Sequence, residues 1–154
     1  MELKTKVNAE PGKQDLTVTR EFDLPVELIF KAHTDAELIE QWKGVKVVKM
    51  GGKKHTGFEA EVRDPQGNVI ARTGGVIHDF VTDKKIVRTF EVEGAPFGVT
   101  LEIYNFEVLT DDTSRLNMHF IYESAEKRDQ MMKMPVAENL DRSYGRLEEL
   151  FRSK

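Results

Sequence analysis

The chain has 154 residues, enough for one domain with a proper core and short for two. Hydrophobic residues make up 39% and charged residues 32%, with a net charge of −4. That balance fits a solvated globular surface and disfavours nucleic acid, whose phosphates select for a basic face.

With no cysteine, disulfides, thiolate nucleophiles and cysteine-type zinc sites are excluded. No apolar run approaches the roughly 20 residues of a membrane span, so no membrane partner is expected. The first residues lack the apolar core of a signal peptide, which makes the cytoplasm the expected location. Residues 1–14 carry Pro11 and Gly12 among polar residues and are expected to be loosely held, leaving 15–154 as a single domain. "DLTVTREF" then alternates, with Leu16, Val18 and Arg20 on one face and Thr17, Thr19 and Glu21 on the other. That is a half-buried strand. Pro25 suits the first turn of a helix, where its missing N–H would have no intrahelical partner, and Asp23 is placed to help cap that end. "VELIFKAHT" and "AELIEQW" read as two short amphipathic helices. The second is restarted by Thr34 or Asp35, carries Glu37 in its first turn, and is stopped by Gly44.

Over residues 45–123 the pattern changes to period two. About six strands are expected there, joined by the turns "DPQGN", "TDKK", "GAPFG" and "TDDT", which make neighbours antiparallel. Phe58, Ala60 and Val62 share a face, as do Ile86, Arg88, Phe90 and Val92. Val99, Leu101 and Ile103 are expected to face inward, which leaves Glu102 outside. In the last segment Met132, Val136, Leu140, Tyr144, Leu147 and Phe151 form an apolar stripe at helical spacing. Ser124 is a suitable N-cap, and Pro135 should kink or divide the helix.

The fold class is therefore α+β: a curved antiparallel sheet of about six or seven strands wrapped around a long C-terminal helix. The two small helices close one mouth of this cup, which commonly keeps an apolar pocket.

"REFDLPVELIFKAHTDAELIEQWKG" resembles the opening motif of the SRPBCC (START-like, birch-allergen-fold) superfamily. More narrowly, it resembles homologues of the activator of heat-shock protein 90 ATPase. Arg20, Phe22, Asp23, Pro25, Thr34, Asp35 and Trp42 stand at motif positions. "RDQMMKM" and "YGRLEELF" resemble the closing helix through Arg128, Asp129, Tyr144, Arg146 and Leu147, while "DPQGN" and Gly75 resemble the central hairpin. The resemblance covers roughly residues 16–151. In two places the chain departs from it. The usual tryptophan pair before Gly-Pro is replaced by Trp42, Lys43, Gly44 and Val45, and Pro135 and Asn139 stand at glycine-containing positions. The resemblance implies a helix-grip (START-like) fold. Its relatives span lipophilic-ligand binders, stress proteins, co-chaperone domains and, more widely, cyclases and other enzymes, so the fold alone does not fix the function.

His33, His55, His78 and His119 are scattered without metal-ligand spacing, so no metal is expected. "GGKKH" lacks the ending of a phosphate loop. No cofactor is implied, and no polar pair converges for acid–base chemistry, so no catalytic residue is assigned.

The expected ligand site lies between the sheet and the 132–136 part of the closing helix. From the sheet it draws Phe58, Ala60, Phe90 and Tyr104. Arg88 joins them, with its head read as snorkelling to the rim, because a buried guanidinium needs an anionic partner. His78 alternates with Val76 and Phe80 and faces inward unless a bulge near Gly74 and Gly75 shifts the register. Met132 and Val136 supply the lid side, and Trp42 the mouth. The favoured function is a non-catalytic binding protein holding a small hydrophobic or amphipathic ligand, with a stress-related role among those that the resemblance implies. The alternatives are a co-chaperone-like domain whose partner is a chaperone, and a cyclase- or hydrolase-type enzyme using the same cavity.

Overall fold

The computed structural model describes residues 3–152. In chain order it contains β1 (Thr5–Asn8), β2 (Asp15–Phe22), α1 (Val26–Thr34), α2 (Ala36–Lys43), β3 (Lys46–Met50) and β4 (Thr56–Arg63). These are followed by β5 (Val69–Val81), β6 (Lys85–Val92), β7 (Val99–Val108), β8 (Ser114–Ile121), α3 (Ala125–Met132) and α4 (Val136–Arg152). One curved antiparallel sheet holds all eight strands in the order β1-β2-β8-β7-β6-β5-β4-β3. The fold is the expected helix-grip arrangement, with eight strands where six or seven were expected.

The additional strand is β1, inside the 1–14 segment. Its sequence, TKVN, is too short and polar to show a period-two pattern, yet it pairs with β2 from Thr5↔Arg20 to Asn8↔Thr17. A side-chain tie fixes it: the backbone N–H and the hydroxyl of Thr5 both donate to Asp141 Oδ1 at 2.9 Å. β1 is thereby fastened to α4 as well as to the sheet.

Helix boundaries follow local chemistry. Pro25 is the N-cap of α1, with φ −60° and ψ 151°, one position earlier than expected, and no side chain caps that end. The Asp35 carboxylate accepts from Leu38 N–H at 3.2 Å and starts α2. Gly44 ends it at φ 69°, a left-handed conformation that costs glycine nothing. Ser124 caps α3, accepting from Lys127 N–H at 3.1 Å. Pro135 then divides the closing helix rather than merely bending it, so the stripe continues in α4. Val136, Tyr144 and Leu147 are buried, while Leu140 and Phe151 pack half-buried against the core.

Two strands present different faces from those expected. On β7 the buried side is Thr100, Glu102, Tyr104 and Phe106, with Val99 exposed. Apolar residues occupy both faces of this strand, so alternation alone does not settle which one turns inward. The register does, because Arg88 of β6 lies directly opposite Glu102. On β5 the pairing shifts between Ile77 and Asp79, leaving Ile77 buried and His78 exposed. Gly75 is needed nearby, since a Cβ there would collide with the Thr89 carbonyl.

Candidate functional site

A cavity of about 130 Å³ opens between α2, β3 and the inner face of β4, β5 and β6. It approaches the roughly 150 Å³ that accommodates benzene in an engineered core. Its walls follow from simple spacings. Ile39 and Lys43 are four residues apart and share one face of α2. Val47 and Met50 face it from β3, and Phe58 and Ala60 from alternate positions of β4. Ile77 and Phe80 of β5, and Ile86, Arg88 and Phe90 of β6, complete the sheet side.

Arg88 lies inside rather than at the rim. Its Nε donates to Glu102 Oε1 at 2.8 Å and its Nη2 to the Tyr104 hydroxyl at 3.1 Å. Tyr104 in turn donates to Glu102 Oε1 at 2.9 Å, closing a triangle. The guanidinium also faces the rings of Phe58, Tyr104 and Phe90 at 4.8, 5.2 and 5.3 Å. Burial opposes the charge on Arg88, but Tyr104 and Glu102 outweigh it and hold the group firmly protonated. Burial also raises the Tyr104 phenol well above its usual range, so it stays neutral. The charges in this triangle neutralise one another.

His33, at the end of α1, lines the cavity beside Thr34. Its Nδ1 lies 2.7 Å from the Ile29 carbonyl, which can only accept, so Nδ1 carries the proton. Nε2, 3.2 Å from the Tyr144 hydroxyl, is then the acceptor. Burial drives the His33 pKa down to about 3, against the pull of the Ile29 carbonyl and with help from Lys43 and Arg88. A neutral, half-buried histidine has a pH signature. The unfolded chain takes up a proton near 6.5 that the folded chain refuses, so stability is full above that value and falls as pH drops toward 3. Urea denaturation should show a loss of about 2 kcal/mol between roughly pH 6.5 and pH 5. His33→Gln should flatten that slope; an unchanged slope would assign it to other groups.

Phe58, Ala60, Arg88, Phe90 and Tyr104 thus converge as expected residues of one cavity. Trp42, expected at the mouth, lies behind the wall at 2% exposure. Its indole N–H donates to the Ala32 carbonyl at 2.8 Å, and its ring stacks on Tyr144 at 5.2 Å. His78 points out to solvent. Val136 is buried and Met132 packs against the core, but neither lines the cavity, whose lid is α2 and β3 instead. Glu102, His33 and Lys43 were absent from the expected set. For Lys43 the available signal was its i,i+4 relation to Ile39; for Glu102 it was the need of a buried arginine for an acid.

Among the described residues, no cluster of His, Cys, Asp or Glu could hold a metal ion. No helix among them is long and apolar enough to cross a membrane.

The family model described as "Activator of Hsp90 ATPase homolog 1-like protein" matches residues 23–152. The chain belongs to that family. Solved structures repeat the fold of this Activator of Hsp90 ATPase homolog 1-like chain. A solution structure of a protein from Arthrobacter aurescens superposes with TM-score 0.84 at 16% identity, covering 97% of this chain and 92% of the other. A crystal structure from Rhodobacter sphaeroides gives 0.82 at 18%, covering 97% and 100%. Protein Ms6760 from Mycobacterium smegmatis gives 0.81 at 20%, covering 94% of each. At these identities the likeness is one of fold. Comparison with curated proteins gives no match.

Proposed function

We propose that this family member is a non-catalytic binding protein that holds a small hydrophobic or amphipathic molecule in the cavity between α2, β3 and the sheet. The supporting observation is the make-up of the walls. Ile39, Val47, Ile77, Phe80, Ile86 and Phe90 are apolar, and the Arg88–Glu102–Tyr104 triangle has its charges already matched. A site of mostly apolar walls with few fixed polar groups suits binding. General acid–base chemistry needs a polar pair free to reach the substrate, and here Glu102 and Tyr104 are committed to Arg88. A cytoplasmic setting is part of this proposal.

Trp42 reports on the site from one layer back. Its ring lies 5.1 Å from that of His33 and 5.2 Å from Lys43 Nζ, both of which line the cavity. A panel of small apolar compounds should therefore include members that change tryptophan fluorescence saturably. A ligand at 100 times its Kd should add about 2.7 kcal/mol of stability. Ala60→Phe, which fills the cavity from β4, should abolish both effects in a protein that still melts cooperatively. A panel with no saturable signal and no stabilisation would refute the binding reading. The family description would then favour a co-chaperone-like domain acting on a chaperone through its surface.

A further inference from the structure

We infer, on the footing of that binding reading, that the ligand carries an anionic head, a carboxylate on an apolar body, and that this head is set against the ammonium of Lys43. The cavity holds its polar groups in two states. Arg88 has its charge balanced by Glu102, gives a further N–H to Tyr104 and is faced by three rings, so it brings no net charge to a ligand. His33 is spoken for at both nitrogens by Ile29 and Tyr144. Lys43 differs from both. Its side chain is half-buried and lines the cavity, and among the described residues its Nζ has neither a hydrogen-bond acceptor nor an ion pair. Its recorded contact is the face of the Trp42 ring at 5.2 Å.

The surrounding charges leave this ammonium uncompensated. From β6 it faces Arg88, from β7 Glu102 and Tyr104, and from α1 His33. Lys49 of β3 adds a further positive charge along the wall, and Glu59 of β4 is exposed to solvent. Since Glu102 already balances Arg88, the inside of the cavity carries one positive charge in excess. Burial, reinforced by Arg88 and opposed by Glu102, lowers the Lys43 pKa to about 7. A carboxylate placed here would restore that charge and supply the missing acceptor, in a setting where charge-assisted bonds are strong. The apolar body would lie toward Ile77, Phe80 and Phe90. A cavity of about 130 Å³ limits the buried part of that body to roughly the bulk of a benzene ring.

The test compares hexanoate with 1-hexanol, which share a tail and differ in the head. Each is titrated into the full chain at pH 6, where Lys43 is mostly protonated, with NMR shifts followed to saturation. Hexanoate should bind about tenfold tighter than hexanol. Lys43→Met should bring hexanoate down to the level of hexanol without weakening hexanol, and Lys43→Arg should preserve the preference. The arginine variant guards against a methionine variant that folds poorly. Equal binding of the two compounds by the unaltered protein, or a preference that survives Lys43→Met, would overturn the inference while leaving an apolar binding site in place. Failure of both compounds to bind would overturn the inference together with the binding reading beneath it.

Discussion

Glu148→Ala should destabilise the protein by about 3–5 kcal/mol, because it strands a buried arginine. Arg20 of β2 and Glu148 of α4 meet at 2.7 Å, with their side chains 2% and 3% exposed. Glu148 also accepts from Asp23 N–H and Arg152, each at longer range, so the carboxylate joins the first helix entry, the sheet and the closing helix. Arg20 has poor alternatives. Its Nε makes no hydrogen bond, and the Asp141 carboxylate, whose Oδ1 accepts both bonds from Thr5, reaches Nε only as a long ion pair of 3.8 Å. Face-on contact with Phe22 at 4.6 Å holds the guanidinium in place but does not neutralise it. Urea denaturation of Glu148→Ala measures the loss. The double variant Arg20→Met with Glu148→Leu should recover most of it, since an apolar pair of similar size avoids the stranded charge. A single-variant loss below about 1 kcal/mol would show that water or the nearby Asp141 carboxylate compensates Arg20 once Glu148 is gone, and would refute the stranded charge.

This pair marks the boundary of what alternation and helical spacing reveal. Arg20 was legible on the inner face of its strand because Leu16 and Val18 fix the parity. Glu148 was not, because on a solvated helix a glutamate is by default on the wet side. Yet Tyr144 and Glu148 are four apart and share a face, so the buried arginine could have pointed to it. The helices and their stops were legible for chemical reasons: Asp35, Gly44, Ser124 and Pro135 each act within one turn of their own position. β1 was hidden, because its placement depends on Asp141, 136 residues away from Thr5.

The same division runs through the candidate site. Phe58, Ala60, Arg88 and Phe90 share faces by local alternation, and the cavity contains them all. Glu102 was missed through a parity choice on β7, where Leu101 and Ile103 outnumber the polar residues but lie only half-buried on the outer side. Its register opposite Arg88 is a non-local fact. His78 was read one step out of phase because the shift falls between Ile77 and Asp79, beyond Gly74 and Gly75. The tryptophan was expected at the mouth, since a ring with a polar tip suits one. The Ala32 carbonyl satisfies that tip internally, and the next residue, Lys43, reaches the cavity instead.

On the closing helix the largest expected loss from truncating a leucine is at Leu147. It is 0% exposed and sits in the main core cluster with Tyr144, Phe22 and Leu116. Leu147→Ala should cost about 2–5 kcal/mol, the lost transfer energy plus that of the cavity left behind. At roughly 2–4 °C per kcal/mol for a chain of this size, the fall in Tm should be several degrees or more. Leu140, on the same stripe but only half-buried, should cost clearly less on the same change, and the ranking is as diagnostic as the magnitude. Equal losses at the two positions, or none at Leu147, would show that this side of α4 does not carry the core. Leu147 does not line the cavity, so the truncated protein, while folded, should keep its ligand affinity. Ala60→Phe should behave in the opposite way, keeping its fold and losing its ligand. That reciprocal pattern is what a cavity built beside the core, rather than within it, requires.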